Sequence, residues 1–354
     1  MNLSGKKPQT IIALDAMGGD DHVNIVIPGA AMTLEKQPNL HFLIYGDQAL
    51  VMPMLEKYPA LKTASEFYHT ERAIQGDEKP SAALRSSKGS SMRLAIEAVR
   101  DGHAAAIVSA GNTGALMALA KLVLKPLDGI HRPAIASIFP TMKDDFDTIM
   151  LDLGANVLVD AENLAQFAVL GAVFAKEHKG ISKPTVGLLN VGTEETKGPD
   201  HVRAAAAILS TVDFPGTYVG FVEGNDITKG TVDVVVSDGY AGNIALKAAE
   251  GVGKMSAHYF KKTLGSDPLT ILGGLLAYFS LKRLKNKMDP RLYNGGVFLG
   301  LNGICVKSHG GTDALGFSSA VKLAAELAEH GYVAKVANEI NHLMMQETLL
   351  SQEA

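Results

Sequence analysis

Ala105–Leu116, AAIVSAGNTGAL, closes an apolar run with Ser109, Gly111, Asn112 and Thr113 before a helical pattern begins. Such a junction leaves the first helical N–H groups unpaired at the positive end of the helix dipole, and its glycines let a phosphate come close to the backbone. The chemistry that fits is anion binding. The same residues also fit a plain strand-to-helix turn with Asn112 or Thr113 as N-cap. Related strand ends recur along the chain: Asp15 in LDAMGGDD, Asn156 in LDLGANV, Asn190 in LLNVGTEETKG and Asn243 in SDGYAGN. Open α/β sheets gather ligands at the carboxyl ends of their strands. If these ends converge on one sheet edge, they predict a polar, glycine-lined cleft.

Cations suited to phosphate lie near these turns. Arg85 and Lys88 sit among hydroxyls in DEKPSAALRSSKGSS, Arg132 precedes a proline-initiated strand, and Lys197 follows Glu194 and Glu195. A solvated surface loop accounts equally well for Arg85 and Lys88. His309 stands at a strand end before Gly310-Gly311 and a helix with Thr312 as cap, where it could act as acid, base or phosphate donor or simply bond a loop carbonyl. Cys305, the single cysteine, lies inside the apolar GICV and reads as a core thiol. The eleven histidines show no metal-ligand spacing, and there is no Walker A, GxSxG or GxGxxG pattern. No metal and no cofactor are expected.

The elements that must position these residues follow a βαβ rhythm from Thr10 onward, which predicts an α/β fold with a mainly parallel sheet. At 354 residues, with 47% hydrophobic and 20% charged residues, the chain is globular and reads as a single α/β domain over 1–354. A net charge of −4 argues against general nucleic-acid binding. The lone cysteine, the absence of an apolar signal region in MNLSGKKPQT and the lack of a membrane-length apolar run point to the cytosol. One region changes character. After a long helix over Ala241–Leu264, the segment LTILGGLLAYFSLKRLKNK is apolar at Leu272, Leu275, Leu276, Tyr278 and Phe279, then basic at Lys282, Arg283, Lys285 and Lys287. Burial against a partner subunit and docking to a membrane surface or an acidic partner both fit it, and they can coexist.

Taken in order, DAMGGD, KPSAALRSSKGSSM, VSAGNTGAL, GIHRPAI, LDLGANV, LLNVGTEETKG, DVVVSDGYAGNIALKAAEG, YNGGVFLGLNG and VKSHGG resemble the bacterial phosphate acyltransferase family over about Thr10 to Ala325. Two departures stand out: Asp21-His22-Val23 where the family usually continues into Gly-Pro, and Gly311-Thr312 where it often has a serine-bearing turn. The resemblance implies conversion of acyl-[acyl-carrier protein] and inorganic phosphate to acyl phosphate for phospholipid synthesis. It implies a Rossmann-like α/β/α sandwich related to phosphotransacetylases and to isocitrate and isopropylmalate dehydrogenases, with residues 243–290 as a protruding helical pair. It also implies a homodimer, peripheral membrane attachment and contact with a downstream glycerol-phosphate acyltransferase. On this reading Asp15, Arg85, Ser109, Gly111, Asn112, Thr113, Arg132, Asn156 and Asn190 bind substrate. His309, Lys197 and Asn243 carry the chemistry, and Leu272, Leu275, Leu276, Lys282, Arg283 and Lys285 face membrane or partner. Two rivals remain: a nicotinamide-dependent dehydrogenase on a similar scaffold, and a membrane-docked scaffold that only binds acyl carrier.

Overall fold

The computed structural model describes residues 9–144, 146–287 and 289–353. Its strands are β1 (Thr10–Asp15), β2 (Leu40–Gly46), β3 (Ser65–His69), β4 (Ala106–Ser109), β5 (Ala134–Pro140), β6 (Asp147–Leu151), β7 (Thr185–Leu189), β8 (Thr217–Val222), β9 (Val234–Val236), β10 (Gly296–Leu299) and β11 (Ile304–Lys307). They form one sheet in the order β3-β2-β1-β4-β11-β10-β5-β6-β9-β7-β8. Successive side chains of a strand point to opposite faces, and two cores result. Ile12, Leu14, Phe42, Ile44, Val108 and Val306 pack with helices Val23–Lys36, Ala161–Lys179 and Ala314–Glu329, whereas Ala13, Leu43, Ile107 and Cys305 pack with Ser91–Arg100 and Thr113–Val123. The layering is α/β/α, as the family resemblance implies.

Strand direction departs from the expectation of one shared edge. β3, β2, β1, β4 and β11 are mutually parallel, and so are β6, β9, β7 and β8. Three antiparallel steps, β11-β10, β10-β5 and β5-β6, separate the sets, so they run in opposite directions. An offset along β5 brings their ends level. Ala134–Ala136 of β5 pair with β10, and Ser137–Pro140 pair with β6, so the halves slide past one another. One cross-strand row passes through Asp15, Ser109, Lys307 and Gly296, and the Val297–Ala136 pairing sets Gly296 level with Ser137, which faces Met150. The last residue of β11, Lys307, and the second-to-last residue of β6, Met150, therefore lie on the same row.

Local chemistry sets the element ends. Asn112, not Thr113, caps its helix, its Oδ1 accepting from Ala115 N at 2.9 Å. Asp313, not Thr312, caps the helix after His309, accepting from Gly316 N at 3.1 Å. After Asp267-Pro268 the chain forms two helices, Pro268–Leu276 and Tyr278–Lys287. Leu272, Leu275 and Leu276 are exposed, Leu276 at 80%. Lys282 and Arg283 are exposed as well, and the side chain of Lys285 lies outside the described residues. Among the described residues no helix is long and apolar enough to cross a membrane.

Candidate active site

The ends of β1, β4 and β11 stand side by side, and a buried carboxylate organises them. Asp15 accepts from Ser91 Oγ at 2.6 Å, Ser109 Oγ at 2.7 Å and Met17 N at 3.2 Å. Burial raises its carboxyl above the usual carboxylate range, and these donors pull it back. With its proton turned to Asp15, Ser109 Oγ offers a lone pair to Gly111 N at 3.0 Å. The turn is tight enough to require glycine: a Cβ on Gly18 would lie 2.6 Å from Gly111 N and 2.8 Å from Asp15 Oδ2.

This bracing corrects two expectations. The Gly111 amide is spent on Ser109 rather than presented to a ligand. Besides capping its helix, Asn112 donates through Nδ2 to the carbonyls of Gly76 at 2.8 Å and Glu78 at 3.0 Å, tying down the loop that carries Arg85. Its side chain is committed to structure. The N–H groups of Asn112, Thr113 and Gly114 are left without an acceptor among the described residues, at the positive end of an eleven-residue helix. Thr113 and Arg85 are exposed.

Lys307 was missed by sequence reasoning. Its Nζ donates to Ala110 O at 3.1 Å and to Ser308 O, directly behind the Gly111 turn. Burial pushes its ammonium down to about 8, against the pull of Asp15 and Asp20. The only sequence signal is indirect, a lysine ending an apolar strand, and its burial follows from pairing with Ser109. Two residues on, His309 N donates to Asn294 Oδ1 at 2.9 Å and His309 Nδ1 accepts from Gly311 N at 3.2 Å. The neutral ring therefore carries its proton on Nε2. Burial, then the Lys307 charge, lowers the His309 pKa and favours this neutral, donating form. A Cβ on Gly310 would lie 3.5 Å from Ala110 O, so the His309 loop packs on the same turn.

At the end of β6, Asp152 Oδ1 accepts from Ile135 N at 2.9 Å and Ala155 N at 3.1 Å, and Oδ2 from Asn156 N at 2.6 Å and Nδ2 at 3.0 Å. Asn156 Nδ2 also donates to Pro133 O at 2.7 Å. The Asn156 amide group thus holds this turn together, a correction to its expected substrate role. The first turn of helix Gly239–Leu264 lies directly on it: a Cβ on Gly242 would fall 1.9 Å from Asp152 O, and one on Gly239 2.8 Å from Asn156 O. Asn243 is exposed, with its side chain 3.5 Å from where a Cβ on Gly154 would stand.

Asn190 Nδ2 donates to Lys197 O at 3.0 Å, and its Oδ1 occupies the place a Cβ on Gly198 would take, at 1.8 Å. Asn190 therefore positions the Lys197 loop through Nδ2, while its buried Oδ1 has no hydrogen-bond partner among the described residues. Lys197 itself is exposed, with Glu194 at 4.0 Å. Arg132 is exposed and donates to Leu158 O at 3.1 Å. One element reaches both clusters. Beyond Asn243, helix Gly239–Leu264 brings Lys247, Glu250 and Lys254 close enough to His309 for their charges to bias its titration.

In fold the molecule is of the phosphotransacylase type. A phosphotransacetylase from Streptococcus pyogenes superposes with a TM-score of 0.61 at 18% identity, covering 91% of this chain and 94% of that one. The EutD phosphotransacetylase from Staphylococcus aureus gives 0.59 at 18% identity, with 90% and 94% coverage. Sequence comparison is more specific. A family model described as fatty acid synthesis protein matches residues 10–335. A phosphate acyltransferase from Rhodospirillum centenum is 53% identical over 345 residues, 97% of each chain, and one from Caulobacter vibrioides is 51% identical over 335 residues, 94% of this chain and 92% of that one. The chain belongs to the fatty acid synthesis protein family, among the phosphate acyltransferases.

Proposed function

We propose that the protein transfers the acyl group of an acyl-[acyl-carrier protein] thioester to inorganic phosphate, releasing acyl phosphate for phospholipid synthesis. The observation that carries this reading is the open row of amides at Asn112, Thr113 and Gly114, backed by Lys307 and adjoined by His309. Hydrogen phosphate is a competent nucleophile near neutrality and needs aim and desolvation more than a strong base. The amides hold it, with the Lys307 charge behind them, and Arg85 and Arg132 are the exposed cations proposed to attract it. A phosphate oxygen attacks the thioester carbonyl carbon, forming the C–O bond. The resulting oxyanion accepts from His309 Nε2–H and the Asn243 amide. Collapse breaks the C–S bond, and the thiol, with a pKa of about 8.5 by analogy with cysteine, leaves with the proton that hydrogen phosphate brought. Lys197 is the exposed cation proposed to assist that transfer.

The neutral state of His309 fits a hydrogen-bond donor to the oxyanion better than a general acid. The exposed apolar residues of Pro268–Leu276 and the exposed Lys282 and Arg283 support the further reading of residues 243–290 as a protruding hairpin of one domain. On this reading the hairpin serves a cytoplasmic homodimer that touches the membrane and meets a glycerol-phosphate acyltransferase there. The test is to incubate the protein with acyl-[acyl-carrier protein] and phosphate and trap acyl phosphate as hydroxamate. Phosphate-dependent hydroxamate with loss of thioester is expected. Intact thioester with bound carrier would overturn the reading in favour of a carrier-binding scaffold.

A further inference from the structure

Helix Gly239–Leu264 carries four lysines and one glutamate, in a chain whose net charge is −4. Lys247, Lys254 and Lys261 recur every seven residues, so they drift by only about 20° per step and share one face. All three are exposed. The face can be identified, because the charges of Lys247, Glu250 and Lys254 are those that reach His309 from this helix. Lys261 continues the line outward, about 10 Å beyond Lys254 at 1.5 Å per residue. Beside it runs a separate exposed apolar ridge of Ile244, Val252, Met255 and Tyr259. Lys247 is paired with Glu250 at 3.0 Å, so the basic track this helix extends away from His309 is carried by Lys254 and Lys261, distinct from the lysines at the far end of the hairpin.

We infer that this track docks the acidic carrier of the acyl thioester, with the carrier protein against Lys254 and Lys261 and the thioester arm led along Lys247 to His309. The inference rests on the proposed activity and goes beyond it by naming the docking surface. Charge complementarity and continuity with the site select the occupant: an acidic protein delivering a thioester to His309 must lie within an arm's length of it, and Lys254 and Lys261 lead outward from it along one helix face.

Initial rates with the carrier thioester and with uncharged acyl-pantetheine test it on the full-length protein. For Lys261→Glu the KM for the carrier thioester should rise roughly three- to tenfold and become less sensitive to salt, with turnover of acyl-pantetheine unchanged. Lys254→Glu combined with Lys261→Glu should raise it further. An unchanged carrier KM in both variants overturns the inference, and so does a loss of binding to anionic vesicles without a change in carrier KM, which would assign the track to lipid. If the wild-type protein converts neither thioester to acyl phosphate, the proposed activity itself is what fails.

Discussion

Each half of the sheet ends a central strand in Leu-Asp, Leu14-Asp15 on β1 and Leu151-Asp152 at β6, and each aspartate is buried, yet the two are satisfied differently. Asp152 is saturated by three backbone N–H groups and the Asn156 amide, and helix Gly239–Leu264 is pressed onto the turn it makes. Asp15 takes two of its three hydrogen bonds from serine hydroxyls, and Lys307 lies nearby. A carboxylate that consumes backbone amides builds a floor. One held by hydroxyls leaves the adjacent helix terminus free for a ligand. On the proposed function, phosphate belongs at the first half, while the second supports the helix.

Substitutions that separate the halves should break or sharpen this contrast. The largest stability effect is expected from Asp152→Ala, which leaves several buried donors unpaired and should cost about 3–5 kcal/mol by denaturant titration. Asp15→Asn should cost about 1–2 kcal/mol, because the serine hydroxyls can reorient, while raising the KM for phosphate. Equal losses of stability would erase the distinction. His309→Ala should lower kcat roughly 100-fold with stability nearly unchanged, and His309→Gln, which keeps a donor, should recover part of it. A rate limb from His309 should lie below the usual 6.5, because protonation of Nδ1 breaks the hydrogen bond from Gly311 N that orients the ring.

Lys307 gives a subtler signature. Its pKa is lowered from 10.5 to about 8, so between these values the unfolded chain holds a proton that the folded chain has released, and stability from this group rises with pH. Phosphate affinity should fall over the same range as the positive charge behind the amides is lost. Lys307→Met should remove both trends, seen as pH-dependent melting and phosphate KM. A wild-type KM for phosphate flat across that range would separate Lys307 from the phosphate site. The smallest effect on chemistry is expected from Leu275→Glu with Leu276→Glu, which touches neither half: vesicle binding should drop and soluble turnover persist.

The contrast explains what the sequence makes legible. Asp15 and Ser109 read correctly as strand-end polar groups because apolar runs stop at them. The α/β layering follows from the same runs. Lys307 does not read as buried, since CVKSHGG looks solvated until β11 is paired with β4. Asn112, Asn156 and Asn190 read as donors to substrate, and each is one in type. Which acceptor takes the N–H, however, is decided by carbonyls far along the chain at Gly76 and Pro133, or across a loop at Lys197. Strand direction is equally non-local, because the reversals depend on β10 inserting between β11 and β5.

The most direct test of the division between the halves is to locate the anion itself. Crystals soaked in arsenate, whose anomalous signal marks the phosphate analogue, should show it within hydrogen-bonding distance of the Asn112, Thr113 and Gly114 amides. Arsenate held instead against the Asp152–Asn156 turn would contradict the account.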